Sequence, residues 1–321
     1  MILSLNEVKL GLWKTHERVD RSLAPKREDH CWIYGTRYWD ALTAEQRIEL
    51  LWLEHAHTIS ALLWFKEALT PLYHRLIEKY GERISPEVRA HMTSFGEEEA
   101  VHTRMFRRYL LAADLPLYEQ PELLGLIPAI ERVHPIAGIL CTYLVQGALE
   151  EAATRQDADH LDPQTRLIMR RHHLAEARHL AFGKWLCESV LEDSSHATKM
   201  RTGHLTRGYM GSAIRRFTYH PEISQYLSFD LGIDPNDFEE IERIRRSDNN
   251  KRLNDERYGP MLEWVRRLGI VKPAYDWLGV AVGMLPLAHF SRWSQNGPFS
   301  AAGVARRMAT EPVATMIPEA K

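Results

Sequence analysis

The residues best suited to chemistry are two Glu-x-x-His pairs, Glu99 with His102 and Glu176 with His179, and a further histidine, His172, four residues before Glu176. On an α-helix positions i, i+4 and i+7 share one face, so His172, Glu176 and His179 point the same way along the helix that the string Arg170 to His179 predicts. Carboxylates are hard donors that stabilise ferric iron, and imidazoles fix the geometry around it. Two Glu-x-x-His helices, joined by one carboxylate from each of two others, are the pattern by which four-helix bundles hold two iron or manganese ions. One such pair arises often by chance in charged helices. Two pairs with an in-phase third histidine point to a metal centre.

The other two helices of such a bundle must each supply an inward glutamate. On the first, Glu67 lies thirteen residues before Tyr80, and Glu99 lies thirteen after Pro86. An antiparallel hairpin with a short loop puts the two at one height. Glu54 is thirteen residues further off and roughly 140° round the helix, at about 100° per residue. Glu67 is therefore the expected ligand, with an ion pair to Lys66 or Arg75 as its alternative role. The third helix ends Leu149-Glu150-Glu151-Ala152, and either glutamate can be the fourth carboxylate. Glu151 is in phase with Leu140 and Leu144, while Glu150 falls beside Gly147, where a glycine leaves room for metal or substrate. Around this set, His74 reads as a core histidine or as lining a substrate cavity, Glu97 and Glu98 as solvent-facing or capping, and His173 as neighbouring or surface. Arg178 reads as orienting a carboxylate or as a surface ion pair, and Arg243, Arg245 and Arg246 as a solvated helix face or a docking patch for an acidic redox partner.

The elements that position these residues are legible from their ends. Thr43-Ala-Glu-Gln46 is a capping-box pattern opening a long helix that stops at Gly81. Ser85-Pro86 opens a second, to about Ala113. Pro116 to Arg132 carries three prolines and reads as a crossover. A third helix begins near Pro135; its body, Ile136 to Leu149, has no charge, as a helix buried all round requires. Asp162-Pro163 opens the fourth, to about Glu192. Further helices are predicted over 195–219, from Asp234-Pro235 to Arg246, over 257–268 and over 275–293. The expected fold class is all-α: an N-terminal arm (1–42), a four-helix bundle (43–193), additional C-terminal helices packed on it (194–295) and a tail (296–321).

At 321 residues and 45% hydrophobic the chain can fill a sizeable core. A net charge of -2 gives no sign of a nucleic-acid partner. Three cysteines without a C-x-x-C pair exclude a disulfide framework and a thiolate zinc site, and fit a reducing, cytoplasmic setting. The first residues lack the pattern of a signal peptide, and the longest apolar run, Trp277 to Phe290, is too short to span a bilayer.

The string His172-x-x-x-Glu176-Ala-Arg-His179-Leu-Ala-Phe182 resembles the p-aminobenzoate N-oxygenase (AurF-like) di-iron oxygenases, and the likeness extends over about residues 45 to 190. The resemblance implies a ferritin-like fold and a ligand set of Glu67, Glu99, His102, Glu150 or Glu151, His172, Glu176 and His179. It implies two iron ions, with manganese as an alternative, and no catalytic side chain beyond the ligands. O2 and a small-molecule substrate, best an (aryl)amine oxidised at nitrogen, would meet there. Electrons would come from a ferredoxin, a reductase or the substrate, and a homodimer is left open. Two other readings share the motifs: a di-iron hydroxylase or desaturase acting on carbon, and a non-enzymatic ferritin- or rubrerythrin-like iron-handling protein. The third histidine and the long C-terminal extension favour the enzyme.

Overall fold

The computed structural model describes residues 19–82, 84–119, 130, 132, 134–154, 158–218 and 220–270, and among them the chain is helical without a strand. A 3-10 turn at Glu28–His30 and the short α1, Arg37–Asp40, precede the bundle. Its four helices are α2 (Ala44–Tyr80), α3 (Pro86–Ala112), α4 (Pro135–Thr154) and α5 (Pro163–Glu192). The starts of α2, α3 and α5 lie where the caps place them. Thr43 and Gln46 exchange side-chain and backbone bonds, Ser85 accepts from the Val88 N–H, and Asp162 accepts from the Thr165 N–H. Each bond satisfies a backbone donor that has no partner inside the helix.

Helix α2 packs on α3 and α4, and α4 packs on α5. Beyond the bundle follow α6 (His196–Thr218), a 3-10 helix at Pro221–Tyr226, α7 (Phe238–Arg245) and α8 (Asp248–Arg267). Helices α6 and α8 both lie against α4, and α7 rests on α8. Helix α4 is thus enclosed by α2, α5, α6 and α8, which is why its body carries no charge. Ile136, Ile139, Leu140, Leu144 and Val145 are all fully buried.

The outer helices differ from expectation at their starts. Helix α7 begins at Phe238 with Asp237 as its cap, because Asp234 bonds the Asn236 N–H 2.8 Å away in a preceding turn. Helix α8 begins nine residues before the predicted Arg257, capped by Ser247, and runs through Pro260. Gly81 ends α2 but keeps a right-handed φ of -52°. What requires glycine there is space, since a Cβ would stand 2.7 Å from the Ile77 carbonyl oxygen. The predicted helix over 275–293, and the crossover at 120–129 and 131, fall outside the described residues. No described helix is long and apolar enough to cross a membrane.

Candidate metal centre

Helices α3 and α5 face each other through side chains: Phe95 stacks edge-on against Phe182, and Arg178 bonds Glu98. Between these contacts both Glu-x-x-His pairs converge. Glu99, His102, Glu176 and His179 each offer a donor atom within 4.8 Å of the others, and none is more than 1% exposed. His102 Nδ1 lies 2.7 Å from Glu176 Oε1, and His179 Nδ1 lies 2.9 Å from Glu99 Oε1. Each motif therefore reaches across to the carboxylate of the other. Two oxygen and two nitrogen donors, buried and convergent, suit a transition-metal ion.

His172 and Glu150 flank this set. His172 Nδ1 is 2.9 Å from Glu150 Oε1, and its Nε2 is 3.3 Å from Glu176 Oε1. Glu150 is 1% exposed, so α4 does bring a carboxylate to the cluster. The side chain of Glu151 lies outside the described residues. Gly147 leaves no room for metal or substrate: a Cβ there would meet Met261 Sδ at 2.7 Å. His173 Nδ1 stands 3.4 Å from Glu150 Oε2 at the cluster's edge.

Glu67 is not among the convergent residues. It is exposed and accepts from Arg107 Nη2 at 2.8 Å, an ion pair with α3 rather than with Lys66 or Arg75. The inward residue of α2 is its neighbour Lys66. That side chain is fully buried, with Nζ 2.8 Å from Glu99 Oε2 and 2.6 Å from Glu176 Oε1. The sequence carries the signal: Leu62, Lys66, Leu69 and Tyr73 follow the i, i+4, i+7, i+11 stripe and all are buried, so residue 66 faces the core and residue 67 does not. Glu54, buried as well, is bonded to Lys26, Cys31 and the Trp32 N–H, away from the cluster.

Two more residues join the cluster: Gln146, and Glu98, which the sequence reads as solvent-facing or capping. Gln146, one turn before Glu150, donates its Nε2 to Glu176 Oε2. Glu98 is half-buried with Oε2 2.9 Å from His179 Nε2 and 2.9 Å from Arg178 Nη2, so Arg178 acts on the cluster through an ion pair. His74 is exposed, not a core histidine, and Arg243, Arg245 and Arg246 pair with Glu240 and Glu242 of their own helix.

Burial alone would raise the carboxyl groups and lower the imidazoles. The charges overrule it. Lys66 holds Glu99 and Glu176 below the usual carboxylate range, and His172 does so for Glu150. Against its burial, His172 is raised chiefly by Glu150, and His179 is raised to about 11 by its bonds to Glu176, Glu98 and Glu99. A metal ion bound to His179 must displace a proton.

A cavity of about 250 Å³ adjoins the cluster at His173. Lys26, Arg166, Arg170 and Arg257 line it, against Glu54. The Arg257 Nε has no hydrogen-bond partner among the described residues. Two buried histidines also line it. Burial, helped by Lys26, pushes His55 down to about 3, and burial with Arg257 and Lys26 pushes His30 down to about 2. The unfolded chain takes up these protons near pH 6.5, whereas the folded chain refuses them until far lower pH. Stability is therefore lost as pH falls from about 6.5 toward 3. His55→Leu is expected to flatten urea-derived stability between pH 6 and 4 by up to about 1.4 kcal/mol per pH unit. An unchanged slope would count against a neutral His55.

No curated protein and no solved structure matches the chain. The family model described as P-aminobenzoate N-oxygenase AurF matches residues 13–269. That span takes in both Glu-x-x-His helices and continues past the bundle through α8, well beyond the stretch whose motifs carry the resemblance. With four-fifths of its length matched, the chain belongs to the AurF p-aminobenzoate N-oxygenase family.

Proposed function

We propose that the chain is an O2-dependent oxidoreductase that oxidises the nitrogen of a small arylamine at a metal held by Glu99, His102, Glu176 and His179, with Glu150 and His172 beside it. The observation that carries this reading is the convergence of the two Glu-x-x-His pairs at full burial. Iron is the metal the family implies, and when bound it supplies the electrons that activate O2. The protein's own groups do the rest. Gln146 and His172 fix the Glu176 carboxylate, and His173 sits where the cavity meets Glu150. The bundle core keeps bulk water from the centre.

The basic lining of the cavity suits an arylamine that bears an anionic group, such as an aminobenzoate. Arg257 is the anchor for that group, since its Nε otherwise lacks a partner among the described residues. A ferredoxin or a reductase supplies electrons in this reading, in the cytoplasm, and a homodimer is compatible with it.

The test is to load the protein with ferrous iron without oxygen, admit O2, and follow visible absorbance and oxygen uptake with and without an aminobenzoate. Uptake that the amine stimulates, with an N-oxygenated product, is expected. Stoichiometric zinc binding with no oxygen reactivity would sink the proposal. Arg257→Gln should raise the KM for the anionic arylamine about tenfold or more, the worth of one charged hydrogen bond. It should leave oxidation of uncharged aniline unchanged; equal losses on both would remove Arg257 from the anchor role.

A further inference from the structure

The cluster contains a cation of its own. In the four-carboxylate, two-histidine bundle centre, two divalent ions neutralise four carboxylates. Here α2 presents Lys66 where such a centre has a glutamate, and the nearest glutamate on that helix, Glu67, is turned out to Arg107. The buried carboxylates Glu99, Glu150 and Glu176, taken with the Lys66 ammonium and with the imidazoles neutral as metal ligands are, leave a formal charge of two negative units. One divalent ion cancels it. A second would leave uncompensated positive charge in a site closed to water, which is costly.

The geometry divides the carboxylate oxygens in the same way. Glu99 Oε2 and Glu176 Oε1 accept from Lys66 Nζ at 2.8 and 2.6 Å. Glu99 Oε1 and Glu176 Oε2 instead face His179 Nδ1, at 2.9 and 3.5 Å. Glu176 Oε2 also accepts from Gln146, which leaves it a second lone pair. One metal ion can lie on the His179 side while the ammonium bridges the two glutamates on the α2 side, where His102 Nδ1 also stands, 2.7 Å from Glu176 Oε1 and 3.4 Å from Glu99 Oε2.

We propose that Lys66 stands in for the second metal ion of this centre, so that each chain holds one tightly bound transition-metal ion together with a permanent ammonium cation bridging Glu99 and Glu176. This rests on the reading above only in that the cluster binds metal. It does not depend on the oxidation reaction. It departs from the two irons that family membership implies.

The experiment measures metal, not turnover. The full chain is equilibrated with excess Mn(II) without oxygen, freed of loose metal by gel filtration, and analysed for metal per chain and by electron paramagnetic resonance. Wild type should carry one uncoupled Mn(II), and Lys66→Glu, which restores the fourth carboxylate, should carry a coupled pair. Two ions in wild type, or none, would overturn the proposal, as would a folded Lys66→Glu chain that still holds one. If Lys66→Glu does not fold, Lys66→Met decides. It removes the cation without adding a ligand and should bind its first Mn(II) about tenfold more tightly, because a neighbouring positive charge is gone. Unchanged or weaker binding would overturn the role of the ammonium. A single metal with no oxygen chemistry would sink the oxygenase reading and leave this one standing; two metals with oxygen chemistry would do the reverse.

Discussion

Glu176→Gln is expected to lose the metal and with it all oxygen chemistry. Among the described residues, no other carboxylate gathers so much of the bundle. Lys66 of α2 reaches it at 2.6 Å, His102 of α3 at 2.7 Å, Gln146 donates to it from α4, and His172 lies 3.3 Å away on its own helix. The amide keeps the volume but removes the charge, and its NH2 group faces an ammonium or an imidazole. Metal affinity should fall about a hundredfold or more, past the range seen when only a supporting residue is lost. The metal-free protein should also lose about 3–5 kcal/mol of stability, the usual cost of stripping one partner from a buried charge network. Glu67→Ala is the matched control. Its carboxylate and Arg107 are both about 40% exposed, so stability should change by less than about 1 kcal/mol and metal content not at all. Wild-type metal content in Glu176→Gln, or metal loss in Glu67→Ala, would mean that the centre is built on other residues.

The helices of the bundle were legible because their starts are local events. A cap acts over three or four residues, and Thr43, Ser85 and Asp162 each have the acceptor that the pattern announces. The outer helices were less legible for the same reason. Asp234-Pro235 has the look of a helix start, yet Asp234 is taken up by its own turn, and the polar opening of α8 from Asp248 to Asn254 shows no apolar stripe to mark it. The uncharged body of α4 did signal enclosure. The helices that enclose it could not be named, since contact of α4 with α6 and α8 is a matter of tertiary arrangement.

The site divides along the same line. Glu99, His102, His172, Glu176 and His179 were legible because each group sits on one helix and the spacing fixes its face. The contribution of α2 depends on the register between helices, and a single residue of error turns a helix by about 100°. Choosing Glu67 by height in the hairpin favoured the residue with the expected chemistry over the residue on the buried stripe. Lys66 entered that reading only as an ion-pair partner for Glu67; its actual partners, Glu99 and Glu176, lie 33 and 110 residues away, beyond the reach of local spacing.

Gly183→Ala is expected to cost about 3 kcal/mol, near the upper end of overpacking substitutions, and to damage the metal centre from a distance. A Cβ at Gly183 of α5 would stand 2.1 Å from Tyr143 Cζ and 2.3 and 2.5 Å from the adjoining ring carbons of that α4 residue. Ordinary carbon contacts are about 3.5–4.0 Å, so roughly 1.5 Å of movement is required. The ring cannot give way freely. It is 2% exposed, and its hydroxyl is bonded to that of Tyr73 on α2. If the ring moves, that buried bond breaks and α2 is disturbed near Lys66, two turns earlier. If α5 moves instead, it carries His179 and Glu176, one and two turns before Gly183, away from Glu99 and Lys66. A displacement of about 1 Å is enough to spoil a site of this kind. Urea unfolding and metal content should therefore both fall in Gly183→Ala. Combining it with Tyr143→Leu should recover part of the stability loss, because the two positions share one contact and their effects should not add. Simple additivity, or a Gly183→Ala protein as stable and as metal-rich as wild type, would show that α4 and α5 are not held at this distance.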